Sequence, residues 1–290
     1  MKRQHLWLVI AGLLLINFIT VAFFLGKDDK GDKEVVATIG KEKITRQDWL
    51  NEMESRYGKE VLDEMVDQKV VAAAGNKYKV KISEKEIDRE LKMMKTTYGT
   101  SASALSADED KWREQIENSL ILEELLTKDV NVPEEELNQY YEDHSSQFNL
   151  NDTYHISQIV VKTEKEAQQT EKELEQGSSF SALAMERSID SFTAVQGGDL
   201  GYVNEENEQY SALIEEAKSL KAGKWSAPIQ TEEGFAIVML HEHVKGESYS
   251  FKEVKEQIRR QIAIEQMDIP VSTQPFKDEV EIKWFYDEAI

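Results

Sequence analysis

Apolar residues recur at helical spacing through the first half of the chain, and the pattern changes near residue 152. The β-branched run Val35-Val36-Ala37-Thr38-Ile39, followed by Gly40-Lys41, predicts a short strand and a turn. Thr45 to Asp48 caps a helix carrying Trp49, Met53 and Tyr57, and a second helix carries Leu62, Met65, Val66, Val70 and Ala73 on one face. Ser83-Glu84-Lys85-Glu86 is a capping box, in which the serine and the glutamate three residues on satisfy each other's free N–H groups. The helix it opens carries Ile87, Leu91, Met94 and Tyr98. Gly99 to Asp108 is small and polar and reads as a loop. Trp112, Ile116, Leu120 and Leu125 mark a further helix. Pro133 at a first helical position, with Glu134 and Glu135 at the positive helix end, begins another. Residues 35–148 therefore read as helical. Their stripes are expected to form core, and any surplus apolar surface is a peptide-binding candidate.

From Tyr154 to Val161 the chain is β-branched enough for a strand. Thr163-Glu164-Lys165-Glu166 caps a helix reaching Glu175, which Gly177 stops; Phe180, Leu183 and Ala184 mark a short helix. Gly197-Gly198-Asp199-Leu200-Gly201 follows. Three glycines in five positions imply positive φ or a close approach, because glycine loses more backbone freedom on folding than any other residue. Leu213 to Leu220 reads as a helix, and Trp225 to Pro228 and Gly234 to Leu240 as two strands. This makes an α+β unit of ordinary domain size. Ser250 to Glu253 opens a last helix, with Phe251, Val254, Ile258 and Ile262 on one face, that is expected to return to the first helical region. Val280 to Trp284 reads as an edge strand.

At the N-terminus, Lys2 and Arg3 precede the apolar run Leu6–Leu25, long enough to span a bilayer. Phe23-Phe24-Leu25 lacks a small-x-small cleavage pattern, which favours a retained signal anchor with the N-terminus inside. A cleaved signal peptide is the alternative. The absence of cysteine excludes disulfides, thiolate metal sites and lipidation on cysteine. The formal net charge of −21 argues against nucleic acid or an anionic membrane as a binding surface. His241-Glu242-His243 is read as ending a strand with both imidazoles on one face, but no third ligand lies nearby and no metal site is expected.

Segment 154–245 resembles the parvulin-type peptidyl-prolyl isomerases. Ser157-Gln158-Ile159-Val160-Val161 stands where that family has S-H-I-L-V. Phe180-Ser181-Ala182-Leu183-Ala184 matches F-x-x-L-A, and Gly197 to Gly201 matches G-G-D-L-G. Leu220 to Ile229 follows L-x-x-G-x-x-S-x-P-V, and Glu233 to Val238 follows x-G-Y-H-I-I. Ala37 to Thr45 and Val130 to Tyr141 resemble the chaperone region of the PrsA/SurA-type extracytoplasmic foldases. The resemblance implies an α+β architecture in which a helical chaperone domain (35–149 with 247–290) carries an inserted parvulin-like domain (150–246). These would follow a cytoplasmic stub and transmembrane anchor (1–26) and a linker (27–34). It implies unfolded or partly folded exported polypeptides and their X-Pro segments as partners, no cofactor, and leaves a homodimer open.

The resemblance also locates the site and its departures. The two family histidine positions hold Gln158 and Ala236, the acid position is Asp190, and the pocket positions hold Gln209 and Leu213, with Leu200 and Phe235 as further substrate-binding candidates. His155 lies three residues before Gln158, so in a strand it faces the other side. Two readings follow: a foldase with weak isomerase activity, or a non-catalytic chaperone or peptide-binding protein with a degenerate parvulin domain.

Overall fold

The computed structural model describes residues 34–99, 108–267, 270–280 and 282–283. The apolar run Leu6–Leu25 and most of the loop expected over 99–108 lie outside them. No helix among the described residues is long and apolar enough to cross a membrane. The described chain forms two units, one running to Lys69 and taking in Ile282 and Lys283, the other Val70–Glu281.

In the first unit, β1 (Val35–Ile39) and β2 (Glu42–Thr45) form an antiparallel hairpin that leads into α1 (Arg46–Tyr78). The two helices expected over this stretch are one helix of 33 residues. Gly58 costs such a helix only about 1 kcal/mol, and no proline removes a hydrogen bond. Much of the stripe expected to be core is exposed: Trp49, Met53, Tyr57 and Met65 each keep about half their surface, whereas Leu62 and Val66 are half-buried and Val70 is buried. Among the described residues this unit offers only a hairpin against the helix, too little surface to bury it.

The second unit opens with α2 (Glu84–Tyr98), α3 (Glu109–Thr127) and α4 (Glu134–Asp143). The Ser83–Glu86 capping box is formed on both sides. Pro133 is the residue before the helix rather than its first member. Ile87 and Leu91 of α2 pack on Ile116 and Leu120 of α3. The last long helix, α9 (Phe251–Met267), packs on α3 and α4, with Val254, Ile258 and Ile262 meeting Val132, Leu137 and Phe148.

Between these helices the chain builds an antiparallel sheet. β3 (Asn149–Leu150) pairs with β9 (Glu247–Ser248) at the two ends of this stretch. The main sheet runs β5 (Asp199–Asn204), β4 (Thr153–Val161), β8 (Phe235–Val244), β6 (Lys224–Trp225), with β7 (Ile229–Gln230) also on β8. The strand expected over 225–228 is thus two short pieces, because Pro228 has no N–H to give a ladder. One face (Ile156, Val160, Ala236, Val238) packs on α8 (Ser211–Ala217). The other (Ile159, Val161, Ile237) packs on α5 (Glu164–Glu175) and α6 (Phe180–Arg187). None of the described tail residues from Val280 to Lys283 lies in the edge strand expected there.

Candidate active site

The glycine-rich turn is held against β4 by its own backbone. Gly197 and Gly198 have φ of 73° and 85°. The Gly198 N–H donates to the Thr193 carbonyl at 2.8 Å, and the Gly198 carbonyl accepts from Gln158 N at 2.8 Å. A Cβ at Gly198 would run into the Gln158 carbonyl oxygen, so only glycine lets this turn lie flat on the strand.

That contact places Gln158 beside Asp190. Gln158 Nε2 donates to Asp190 Oδ2 at 2.9 Å, an orientation set by the carboxylate, which can only accept. Asp190 also caps the single turn α7 (Ser191–Ala194): its Oδ1 accepts from the N–H groups of Phe192 (3.1 Å) and Thr193 (3.4 Å), and its Oδ2 from the Thr193 hydroxyl. Burial would push this carboxyl up, but the donors from Thr193, Gln158 and Phe192 outweigh it and hold its pKa below the usual range. Asp190 is therefore an ionised group whose oxygens are committed. Gln158 Oε1 accepts no hydrogen bond among the described residues, and it remains the polar group with capacity for a peptide N–H.

Strand alternation puts Gln158 on the face of Ile156 and Val160. Ala236 faces the same way, opposite Val160 in the ladder and fully buried. Leu200 and Leu213 close over the same cluster with 4% and 5% of their surface left. The structure thus brings Gln158, Asp190, Ala236, Leu200 and Leu213 together around one sheet face. Gln209 is exposed on the turn Glu208–Tyr210 that precedes α8. Phe235 packs on the opposite face with Ile237 and Met239. As the neighbour of Ala236 in a strand it must point the other way.

The histidines sit elsewhere. His155 Nε2 donates to Asp199 Oδ1 at 2.8 Å, and its ring stacks on Tyr202 and lies 4.5 Å from that of His241. His155 Nδ1 is buried without a partner among the described residues. His241 Nε2 shares a 2.7 Å hydrogen bond with Ser157 Oγ. His243 instead stacks on Tyr154 and bonds Asp152. The two imidazoles expected on one face are on opposite faces, because β8 carries one extra residue against His155 and Ile156 and such a bulge shifts the alternation. Among the described residues no group of side chains could hold a metal ion. Sequence reasoning missed this buried cluster; Asp199 was visible only as part of the glycine-rich motif.

Burial, and after it the neighbouring His155, holds the His241 pKa below the ordinary imidazole value, with Asp199 opposing. A folded-state pKa below the unfolded one means that the unfolded chain binds the proton first. Stability is then complete above pH 6.5 and is lost as pH falls below it. The groups around His241 are His155 and Ser157 on β4, Asp199 and Tyr202 on β5, and Glu242, which ties Tyr202 to Lys95 of α2. Urea unfolding at pH 7.5 and pH 5.5 is expected to show a larger acid loss in the wild type than in His241→Gln. Equal losses would refute the assignment.

An apolar sheet face fronted by one fixed carboxylate and one amide suits holding a peptide segment rather than proton transfer. Residues 132–256 match the model of the PPIC-type peptidyl-prolyl isomerase domain. The chain is 42% identical over 293 residues to the putative peptidyl-prolyl cis-trans isomerase YacD of Bacillus subtilis, covering 99% of both chains. It is 30% identical over 264 residues to the foldase protein PrsA of a Geobacillus species, covering 90% of this chain and 88% of that one. Crystalline PrsA from Bacillus subtilis matches with a TM-score of 0.37 at 28% identity, over 89% of this chain and 96% of that one. The chain belongs to the PrsA-type family of foldases that carry a parvulin-type peptidyl-prolyl isomerase domain.

Proposed function

We propose that this foldase is anchored at the membrane through Leu6–Leu25 and works on exported polypeptides outside the cytoplasm, with a parvulin-type site that turns X-Pro bonds over weakly. The observation that carries the reading is the Gln158–Asp190 hydrogen bond, which stands where the resemblance expects an imidazole beside the acid. Rotation about a peptide bond breaks no covalent bond; its barrier is about 18–20 kcal/mol of lost amide resonance, and uncatalysed X-Pro bonds take tens to hundreds of seconds. A catalyst need only bind the twisted amide better than the planar one. Gln158 Oε1 can accept from a substrate N–H, while Asp190 locks the Gln158 amide and leaves the field at the site negative. Neither group adapts as a pair of imidazoles would, and Ala236 contributes no polar atom. Helices α2, α3, α4 and α9 supply the holding surface of the chaperone part.

A second reading, a chaperone without useful catalysis, draws support from the closed apolar wall at Leu213 and Ala236. Proline-limited refolding of a model protein, catalysed by residues 34–290, separates the two. Weak acceleration is expected, lost in Gln158→Ala. Positions 158 and 236 share a face on neighbouring strands, one pair off direct register and within about 7–8 Å of each other. Histidine at both should therefore raise the rate about tenfold, roughly 1.4 kcal/mol of barrier. Thermal unfolding checks that the buried imidazole is tolerated, and Gln158→His alone gives a second variant. No acceleration by any of these proteins would leave the chaperone reading standing.

A further inference from the structure

The second unit contains a groove that the parvulin-type site does not use. It lies between α2, α3 and α9, with a cavity of about 510 Å³, within the roughly 300–1,000 Å³ of ordinary binding clefts. Its wall is apolar: Met94, Trp112 and Ile264 are half-buried along it, over Ile116 and Leu120. Two of its polar groups, Glu90 and Gln257, are acceptors short of donors. Glu90 accepts no hydrogen bond from any described residue, and burial raises its pKa despite the nearby Arg89. Glu123 is also raised by burial, although Arg260 and Ser119 partly offset this. Gln257 gives its amide N–H to Met93 Sδ at 3.6 Å, and its Oε1 is buried with no partner among the described residues. A carboxylate that has lost water without gaining a donor costs free energy until a donor arrives.

We infer that this groove binds a polypeptide segment in which a lysine or arginine lies next to bulky apolar residues, the cation meeting Glu90 and Glu123 and the apolar side chains covering Met94, Trp112 and Ile264. Charge selects the occupant. An anion or a neutral apolar segment would leave Glu90 and the Gln257 oxygen unpaired, whereas an ammonium or guanidinium supplies several donors at once. Trp112 adds a ring face on which a cation is favoured. The chain's net charge of −21 draws basic segments toward it and repels acidic ones. The choice of a polypeptide as occupant rests on the foldase reading; the demand for a cation rests on the groove itself.

The test uses fluorescence anisotropy with the full chain in detergent and two labelled, proline-free peptides, one containing Leu-Lys-Phe and the other Leu-Glu-Phe at the same place. Leaving out proline keeps the parvulin-type site out of the measurement. The Lys peptide is expected to bind about tenfold tighter, a difference that shrinks with added salt. Glu90→Gln should remove most of that preference. It should also leave the protein at least as stable, since burial already disfavours the Glu90 charge. Ile264→Asp should weaken the Leu-Glu-Phe peptide, and an unfolded variant would show itself in the same melting curve. Equal binding of the two peptides, or an unchanged preference in Glu90→Gln, overturns the inference. Proline-limited refolding measured on the same samples reports separately on the proposed function, so either idea can fail alone.

Discussion

Replacing Gly198 by alanine is expected to cost about 2–5 kcal/mol, a large part of the ~5–15 kcal/mol that holds an ordinary domain together. Two effects add. At φ 85° an L side chain carries a penalty of about 1–2 kcal/mol. The new Cβ must also displace the Gln158 carbonyl and press on Ala184 Cβ at 3.1 Å, and overpacking of this kind costs about 1–3 kcal/mol. The neighbour is backbone in the centre of a paired strand, so it has nowhere to go. Gly223 provides the control: its φ is 77°, yet a Cβ there meets nothing within 4 Å, and Gly223→Ala should lose only the conformational penalty of about 1–2 kcal/mol. Urea unfolding of the two variants measures the difference. Similar losses would mean that conformation alone, rather than the close approach to β4, explains the glycine. Because Gly198 also accepts the Gln158 N–H, Gly198→Ala should disturb the Gln158–Asp190 pair.

The glycine-rich turn shows how far the sequence could be read. Three glycines signal positive φ or close approach, but nothing local says that the surface approached is the Gln158 carbonyl, 40 positions earlier in the chain. The capping boxes at Ser83 and Thr163 were legible because both partners lie within one helical turn. The continuity of α1 through Gly58 was not, since one tolerated glycine and a true break look alike in sequence. The bulge that separates His241 from His243 leaves no compositional mark: a single extra residue in β8 is visible only against its partner strand. Phe235 is a different case. Its placement opposite Ala236 follows from strand alternation alone and was available without coordinates.

The candidate site positions divide in the same way. The family resemblance located Gln158, Asp190 and Ala236, and the structure brings them to one side of the sheet. What the resemblance could not report is that Asp190 already accepts four hydrogen bonds, two of them from the backbone it caps. That commitment turns a candidate acid into a fixed negative charge. The groove carboxylates were hidden for a related reason: Glu90 lies on a charged stretch of α2 that reads as solvated, and it is desolvated only where α2 meets α3 and α9.

Arg260→Met is expected to destabilise the protein by about 3 kcal/mol at neutral pH. Arg260 retains 2% of its surface and joins three helices: from α9 it reaches Glu86 of α2 at 3.3 Å and Glu123 of α3 at 3.5 Å. Removing one side of a buried ion pair typically costs about 3–5 kcal/mol, because the remaining charge stays desolvated. The lower end applies here, since the two carboxylates keep 20% and 30% of their side-chain surface and can regain some water. Their titration sets the pH dependence. Burial holds the Glu123 pKa above 4.5, so it takes up a proton first as pH falls and no longer needs the arginine. Burial also pushes Glu86 up, but the Ser83 donors and Arg260 outweigh it and keep its pKa below 4.5, so its share of the stability persists further into acid. The difference between wild type and Arg260→Met should therefore be largest near pH 7, shrink once Glu123 protonates, and shrink again only below pH 4.5. A difference independent of pH would show that Arg260 acts through packing of its stem rather than through its charge. Adding Glu123→Gln to Arg260→Met separates the two: it should recover part of the loss if the stranded carboxylate is the cause, and none if the missing volume is.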